Sequence, residues 1–331
     1  MQTMQSQTMR NQILQSLRAS DQYLSGEQLS RQFQVTRSAV WKAIQSLREE
    51  GYQIESVTNR GYRLLSLPDR LLPVEIQQGL QTQQLGGQII YCESVNSTNE
   101  KAKLVAAEGA THGTVIVAEK QTSGKGRLGR VWSSPASQGI WMSILLKPDI
   151  LPKDIATITL ITGLAVCRAI NSICDCKAQI KWPNDIIIGT RKVCGILTEL
   201  AAEAERVNYV VAGIGINVNN TSFPAALTKK ATSLRMEFGK SFSRVALVQA
   251  VLQELEPIYN RFVATLSFQD FDAYKEKCAT LGRKVTLVQN QLELHGTAVD
   301  LTPTGELIVR LEDGKNITVN SGEVLVQGIY E

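Results

Sequence analysis

Hydrophobic residues in the first 65 positions recur at three- and four-residue spacing and then alternate over two short runs. The first pattern is typical of amphipathic helices and the second of strands with one buried face. Ser25 and Gln28 form a capping box that begins the second helix, Thr36 caps the third, and Gly51 ends it. Helices are predicted near Met9–Ala19, from Ser25 through Phe33 and over Arg37–Glu50, and strands over Gln53–Val57 and Tyr62–Leu65. This order predicts a winged helix-turn-helix.

The third predicted helix buries Val40, Ile44 and Leu47 and turns a polar face outward. Such a helix fits the major groove of DNA, where polar side chains read base edges and cations meet phosphates. The alternative is a helical adaptor with a solvated polar face. Residues 1–67 hold eight Lys and Arg against five acids in a chain of net charge +4, which favours a polyanion partner. DNA contacts are predicted for Thr36, Arg37, Ser38, Trp41, Lys42, Gln45 and, at the wing tip, Arg60.

A mixed α/β pattern follows a hinge predicted at Leu67–Arg70. Strands are predicted over Gln88–Cys92, Thr114–Glu119, Ile140–Leu146, Ala178–Trp182, Asp185–Ile188, Val193–Glu199, Tyr209–Ala212 and Ile214–Val218. Helices are predicted over Ser97–Ala107, Lys153–Asn171, Arg244–Thr265 and Phe268–Lys277. Because strands often follow one another without a helix between them, a mixed or antiparallel sheet is favoured over a doubly wound parallel one, and the fold class is predicted as a central mixed sheet with helices.

Residues 282–331 consist of short alternating runs between turn signals. The turn signals are Gln289-Asn290, Thr304-Gly305, Glu312-Asp313-Gly314 and Ser321-Gly322. This pattern predicts a small β-barrel, expected to be SH3-like. The chain is therefore predicted to be an α+β multidomain protein, with domains at residues 1–67, 68–280 and 281–331.

Composition bears on the cellular compartment. The 331 residues are 43% hydrophobic and 20% charged, which is typical of a soluble globular protein. Met1–Gln12 is polar and lacks the apolar core of a secretory signal, so a disordered leader is predicted. No apolar run approaches the roughly 18 residues of a membrane span. The six cysteines lack zinc spacing, which predicts reduced thiols in a cytoplasmic protein with no membrane partner.

The segment from Gly124 to Arg130 is a glycine-rich basic loop. Its glycines match the dinucleotide fingerprint and a kinase glycine loop, but no helix pattern follows and the other kinase segments are missing from the sequence. Glycines let a backbone approach a ligand closely, and cations such as Lys125 and Arg127 neutralise phosphate charge. A phosphate-bearing ligand is therefore indicated. Trp132, which follows this loop, could stack on an adenine ring or cover the site. A plain mobile basic loop is the alternative.

Polar residues also interrupt later strands. Asn184 and Asp185 follow a proline that marks a strand end, where side chains leave a sheet edge. Lys192 enters an apolar run, either to serve a ligand or to form a surface ion pair. Asn217 lies in an apolar, glycine-containing strand, where a ligand amide or a backbone group must satisfy it.

A predicted helix N-terminus completes the set. Ser97 and Glu100 form a capping box by their spacing, which is a sufficient structural explanation for both. Thr98 and Asn99 would nonetheless line the first turn, a natural site for an anion or a carbonyl group.

Together these segments resemble the biotin–protein ligase family, in the bifunctional branch that is also the biotin operon repressor. The likeness covers residues from about 10 to 331. It rests on Ser97-Thr-Asn99, Gln121–Trp132, Lys181-Trp-Pro-Asn-Asp185, Arg191-Lys-Val-Cys-Gly195 and Gly213-Ile-Gly-Ile-Asn217. The resemblance implies a class II synthetase-like central sheet. It also implies ATP-dependent formation of biotinyl-5′-adenylate, transfer of biotin to a lysine of biotin carboxyl carrier protein, and repression at operator DNA with the adenylate as corepressor.

The resemblance also implies residue roles. Biotin is assigned to Ser97, Thr98, Asn99, Gln121, Lys125, Gly126, Arg127 and Lys192. ATP and the adenylate are assigned to Arg127, Arg130, Trp132, Asn184, Lys192 and Asn217. Catalysis is assigned to Arg127, Lys192 and Asp185, with Asp185 orienting or deprotonating the acceptor amine. Because a carboxylate must attack a triphosphate, cations and Mg²⁺ lower the barrier, and no metal site is expected from the protein alone.

Three positions depart from the family. Lys125 stands where Arg is common, Leu128 replaces an Arg, and Gln327 replaces an Arg that would bring the C-terminal domain to the nucleotide. The adenylate is expected to strengthen homodimerisation and hence binding to a two-fold operator. The alternatives are a non-catalytic biotin-sensing repressor, a lipoate–protein ligase, and a nucleotide-dependent enzyme of another class.

Overall fold

The computed structural model describes residues 2–203, 206–289, 292–320 and 323–330. Contacts divide the chain into two compact units, Met1–Asp69 and Arg70–Glu331. The three domain boundaries stay predictions. All six cysteines are free thiols.

The N-terminal unit contains three helices and one hairpin. They are α1 Gln2–Arg18, α2 Gly26–Phe33, α3 Arg37–Glu49, β1 Gln53–Val57 and β2 Gly61–Ser66. The predicted disordered leader is wrong over residues 2–8, because α1 already begins at Gln2, ahead of the predicted start near Met9, and runs through Met and Gln, which favour helices. Met1 lies outside the described residues.

The predicted helix ends of this unit are confirmed. Ser25 Oγ accepts from the Gln28 amide, and Gln28 Oε1 accepts from the Ser25 amide, so the capping box is complete. Thr36 Oγ1 accepts from the Ala39 amide at 3.2 Å. Gly51 has φ +99°, the left-handed conformation expected of a residue after a helix. The three helices bury Ile13, Leu14, Leu17, Leu29, Val40, Ile44 and Leu47.

The second unit is built on a seven-stranded sheet. Its strands are β3 Ile89–Val95, β4 Val115–Gln121, β5 Gly139–Leu146, β6 Gln179–Lys181, β7 Asp185–Ile188, β8 Arg191–Glu203 and β9 Arg206–Asn217. The order is β3-β4-β5-β9-β8-β7-β6, with β3 and β4 parallel and the other pairs antiparallel. The predicted mixed sheet is confirmed. The predicted division of β9 into two strands is wrong, since Gly213 keeps its pairing with Leu197 and does not interrupt the ladder.

In the described part of this unit, six α-helices accompany the sheet. They are α4 Pro73–Gln78, α5 Thr98–Ala107, α6 Ile155–Cys174, α7 Leu234–Phe238, α8 Arg244–Thr265 and α9 Phe271–Lys277. Helices α6 and α8 pack in the main core, whereas α5 buries Ala102 and Val105 against Ile116, Leu145 and Val211 in a separate cluster. By length and composition α6 could cross a membrane, contrary to the sequence expectation. However, 72% of its most apolar stretch is buried inside the fold, which is typical of a core helix.

The C-terminal part forms a five-stranded antiparallel sheet. Its strands are β10 Lys284–Gln289, β11 Leu292–Leu301, β12 Leu307–Leu311, β13 Asn316–Val319 and β14 Glu323–Val326. The order is β13-β12-β11-β10-β14, and the two outer strands do not pair with each other among the described residues. A closed barrel is therefore not confirmed. The turns at Gly305 and Gly314 are confirmed, while those predicted at 289–290 and 321–322 involve residues 290, 321 and 322, which lie outside the described residues.

Candidate active site

A network of neutral hydrogen bonds links the start of α5 to the end of β4. The backbone N–H and the hydroxyl of Thr98 donate to Gln121 Oε1, at 2.8 and 3.2 Å. Gln121 Nε2 in turn donates to Ser134 Oγ at 2.8 Å. Thr98 is buried, so this network fixes the orientation of the Gln121 amide before any ligand arrives. Ser134 was not anticipated from the sequence.

Asn99 lies flat against the sheet beside this network. Ser143 Oγ donates to its Oδ1 at 2.6 Å, and its Nδ2 donates to Leu197 O and to Glu199 Oε2 at 3.2 and 2.7 Å. A Cβ on Gly213 would come within 2.2 Å of Asn99 Oδ1, so the glycine makes the close approach possible. Both polar atoms of the Asn99 amide are therefore engaged by the protein itself.

Two paired glycines form a platform under Trp132. Gly195 of β8 and Gly215 of β9 are cross-strand partners. A Cβ at either position would lie 2.9 or 2.5 Å from the indole ring. The buried Trp132 Nε1 has no hydrogen-bond partner among the described residues, and Lys192 Nζ lies 5.1 Å from the ring centroid.

The capping box predicted at the start of α5 is wrong. Ser97 is the N-cap residue, but its side chain makes no capping hydrogen bond. Glu100 instead accepts from Lys125 at 2.8 Å and from Lys103 at 3.1 Å. These hydrogen bonds, with that of Lys125 the stronger, lower the pKa of Glu100. Two ammonium donors outcompete a single neutral backbone N–H for the carboxylate, because charge-assisted hydrogen bonds are stronger.

We call the small pocket at this place the neutral pocket, after the uncharged Thr98, Asn99 and Gln121 in its lining, although Lys125, Arg127 and Lys192 line it as well. Its volume is about 50 Å³, and Thr98, Asn99, Gln121 and the glycines line it. All the residues assigned to biotin lie at this pocket: Ser97, Thr98, Asn99, Gln121, Lys125, Gly126, Arg127 and Lys192.

A larger adjoining cavity, here the cation cavity, has a volume of about 1050 Å³. Its walls come from the central sheet, the loop after β9 and the C-terminal sheet. The basic residues that line it are Arg127, Arg130, Lys181, Lys192, Lys230, Lys284 and Arg310, against the acids Asp185 and Glu312. All the residues assigned to the adenylate and to catalysis line this cavity: Arg127, Arg130, Trp132, Asn184, Asp185, Lys192 and Asn217. Such an excess of cations suits a polyanionic ligand.

The two pockets meet at four shared side chains: Arg127, Trp132, Asn184 and Lys192. Arg127 donates to Asn184 Oδ1 at 3.0 Å, and Asn184 Nδ2 donates to Ile196 O at 2.9 Å. The amide of Asn184 therefore orients the guanidinium from the edge of the sheet. A ligand with a neutral end and an anionic end would place its junction here.

Asp185 and Lys192 form an ion pair at the wall of the cation cavity. Lys192 Nζ lies 2.6 Å from Asp185 Oδ1, and the Asp185 side chain is only 12% exposed. An ion pair, one of the two roles left open by the sequence, is thus observed for Lys192, whose side chain is 26% exposed. Tyr330 Oη donates to Asp185 Oδ2 at 2.8 Å. Nothing in the local sequence pattern marked Tyr330, because the fold brings it to Asp185 across 145 positions.

Asn217 is buried, and its Nδ2 donates to Thr232 O at 3.1 Å. Of the two partners left open by the sequence, the backbone group is the one observed. The segment that supplies Thr232 also places Phe223 and Leu227 in the cavity wall, and the sequence had not marked either.

The N-terminal unit presents the predicted polar face of α3. Thr36, Arg37, Ser38, Trp41 and Lys42 are exposed, and Gln45 is half-buried. Arg60 at the hairpin turn is exposed, and its guanidinium carbon lies 4.7 Å from the centroid of the Tyr23 ring. Outward polar side chains and buried Val40, Ile44 and Leu47 thus occupy opposite sides of one helix.

Comparison with known proteins gives the same three parts in sequence. Residues 9–63 match an HTH domain, residues 91–217 the Biotin/lipoate A/B protein ligase family, and residues 280–326 the Biotin protein ligase C terminal domain. The chain is 38% identical over 312 residues to the bifunctional ligase/repressor BirA of Bacillus spizizenii. The matched region covers 93% of this chain and 95% of that protein. This chain belongs to the bifunctional biotin–protein ligase/repressor family.

Other members extend the likeness. The bifunctional ligase/repressor BirA of Escherichia coli is 27% identical over 90% of this chain and 91% of its own length. The solved biotin protein ligase of Aquifex aeolicus in complex with biotin and ATP is 30% identical, with a TM-score of 0.64 over 73% of this chain and 99% of that one. The family predicted from the sequence motifs is confirmed.

The three departures from the family have distinct surroundings here. Lys125 is held by Glu100, and Leu128 is 72% exposed with φ +56°. Gln327 lines the cation cavity together with Lys284 and Arg310. The C-terminal sheet therefore also reaches this cavity through Lys284 and Arg310, which the sequence had not singled out.

Proposed function

We propose that this chain joins biotin to a lysine of an acceptor protein at the expense of ATP. The observation that carries the proposal is the junction of a neutral pocket with a cation cavity at Arg127 and Lys192. Biotin has a neutral ring system and a carboxylate, and ATP is polyanionic. The two pockets match these chemistries and would bring the carboxylate to the α-phosphate.

In the first step, Thr98 and Gln121 would hold the ureido end of biotin. The carboxylate would meet the Gly126 backbone, Arg127 and Lys192. A carboxylate oxygen attacks the α-phosphorus, the mixed anhydride bond forms, and pyrophosphate leaves. Arg127, Arg130 and Lys192 offset the repulsion between two anions, so the barrier falls through charge and positioning.

In the second step, the acceptor lysine amine attacks the acyl carbon of the adenylate and AMP leaves. Lys192 would stabilise the developing negative charge on the acyl oxygen. Asp185 would accept the amine proton or orient the amine. Trp132 would cover the adenylate, with Asn184 and Asn217 at its side.

Mg²⁺ fits this site as a companion of the nucleotide. The described residues contain no group of three or more His, Cys, Asp or Glu able to hold a metal ion. Mg²⁺ commonly uses one or two carboxylates with substrate phosphates and water, and Asp185 lies at the cavity wall. When bound, the ion would neutralise phosphate charge.

Biotin-dependent exchange of pyrophosphate into ATP tests the ligase proposal directly. The purified chain with biotin, ATP and Mg²⁺ is expected to catalyse exchange and to label biotin carboxyl carrier protein. Exchange with lipoate instead would favour the lipoate–protein ligase alternative. Biotin binding without exchange would favour the non-catalytic repressor.

The N-terminal unit supports a second role, repression at operator DNA. Arg37, Lys42 and Arg60 are exposed on the face that would meet DNA. We propose that Thr36, Ser38, Trp41 and Gln45 complete this contact and that the adenylate promotes a homodimer with two recognition helices. Arg37→Ala should weaken operator binding about tenfold in a mobility-shift assay and leave pyrophosphate exchange unchanged.

The finer structural assignments belong with these proposals. We assign domains to residues 1–67, 68–280 and 281–331, a class II synthetase-like character to the central sheet, and an open SH3-like character to the C-terminal sheet. The protein would act in the cytoplasm, where its acceptor protein and operator are found.

A further inference from the structure

Asp185 is held from two sides. Tyr330 Oη donates to its Oδ2 at 2.8 Å, while Lys192 Nζ lies 2.6 Å from its Oδ1. Because the Asp185 side chain is 12% exposed, both contacts lie away from most of the solvent, where electrostatic interactions are stronger.

The two oxygens of this carboxylate are not equivalent. Oδ2 receives the phenol. Oδ1 is buried and is paired with the Lys192 ammonium, whose Nζ lies 2.6 Å away. An ionised carboxylate oxygen accepts two hydrogen bonds, so Oδ1 retains capacity for a further donor such as an amine.

Tyr330 is itself fixed in place. Its backbone N–H donates to Thr190 O at 3.0 Å, in the turn between β7 and β8, and Lys181 Nζ lies 5.0 Å from its ring centroid. Burial and then the charge of Asp185 raise the pKa of Tyr330. The phenol therefore stays protonated and remains a donor at any ordinary pH.

We propose that Tyr330 is a positioning residue for the transfer step, holding the Asp185 carboxylate in one orientation at the cavity wall where the acceptor amine would arrive. The inference rests on the proposed ligase function. Lys192 alone does not fix the carboxylate, because the terminal torsion of an aspartate is broad and a single contact permits rotation. A second, rigid donor on the other oxygen removes that freedom.

Tyr330→Phe tests this, because it removes only the hydroxyl and keeps the ring beside Lys181. The maximum rate of biotin transfer from preformed biotinyl-adenylate to the acceptor protein should fall about tenfold, as the loss of a hydrogen bond to a charged group predicts. The KM for biotin and the rate of pyrophosphate exchange should change less than about twofold, since the proposed role is confined to transfer.

Tyr274→Phe is a matched control. Tyr274 is fully buried in α9, and its hydroxyl has no partner among the described residues, so transfer should be unchanged. Unchanged transfer in Tyr330→Phe, or an equal fall in exchange and transfer, would overturn the positioning role. If the unaltered protein catalyses neither pyrophosphate exchange nor biotin transfer, the ligase proposal itself is contradicted. The positioning role of Tyr330 would then be contradicted as well.

Discussion

The neutral pocket and the cation cavity share a border but are built in opposite ways. In the neutral pocket, Thr98, Asn99 and Gln121 already have protein partners for their polar groups. In the cation cavity seven basic residues face two acids. The hydrogen bonds in the neutral pocket fix the orientation of its side chains. The cation cavity has an excess of positive charge that an anionic ligand can neutralise. Arg127 and Lys192 line both pockets, so charge compensation extends to their border, whereas the hydrogen-bonded groups that would orient a ligand lie in the neutral pocket alone. Substitutions should therefore separate ligand orientation from charge compensation in kinetics.

Lys192→Met should give the largest effect, because Lys192 borders both pockets. Removing a positioned charge at a reacting centre typically costs 10²–10³-fold, and about this loss is expected in pyrophosphate exchange. Lys315→Met, at an exposed turn after β12, is the control and should leave exchange intact. A loss of less than about threefold would show that charge at the border is dispensable.

Gly215→Ala should have the second-largest effect, because it changes the shape of the neutral pocket without changing any charge. The new Cβ would lie 2.5 Å from Trp132 Nε1, so the ring must move off its platform. The KM for biotin should rise about tenfold with a smaller change in kcat, as expected when binding is impaired in ground and transition states alike. Gly163→Ala in α6, whose Cβ would be 3.8 Å from its nearest neighbour, serves as the control. Equal KM values for the two variants would contradict the platform role.

Thr98→Val should have a moderate effect. It removes the hydroxyl that donates to Gln121 and lies 2.7 Å from Ser143 Oγ. A neutral hydrogen bond is worth about 0.5–1.5 kcal/mol, so the KM for biotin should rise about three- to tenfold with kcat unchanged. A selective fall in kcat would mean that the neutral pocket also contributes to charge compensation. That result would contradict the division of roles between the two pockets.

Lys125→Met should have the smallest effect. The Lys125 side chain is 51% exposed, and exposed ion pairs contribute little, so exchange should fall less than about threefold. The lowered pKa of Glu100 means that the pair is formed above the ordinary carboxyl range and is lost as the pH falls through the lowered value. Biotin affinities of the variant and the unaltered protein should therefore converge at acidic pH. A difference that persists there would assign Lys125 a direct contact with biotin.

Local features of the fold could be predicted, since short-range physics determines them. The cap at Ser25, the helix Arg244–Thr265 and the strand Asp185–Ile188 follow from nearby residues alone. The capping box at Ser97 failed because Lys125, from a distant loop, competes for Glu100. Closure of the C-terminal barrel is not confirmed, and it could not follow from the sequence pattern, because it depends on whether two edge strands meet rather than on alternation within each.

The site shows the same limit. Motif residues such as Lys192 and Asn184 could be predicted, because spacing and residue type single them out. Tyr330, Arg310 and Ser134 could not be predicted. No local sequence pattern distinguishes them, and only the folded structure brings them to the site.

The arrangement around Asp185 has a consequence for synthesis on the ribosome. Lys284, Arg310 and Tyr330 are translated well after Lys192, yet they complete the same cavity wall. A nascent chain that ends near residue 280 would carry all the segments on which the family resemblance rests, from Ser97 to Asn217, and still lack the hydrogen bond from Tyr330 to Asp185. Biotin transfer should therefore begin only late in translation. An unfinished polypeptide that had formed biotinyl-adenylate would transfer biotin to the acceptor lysine slowly.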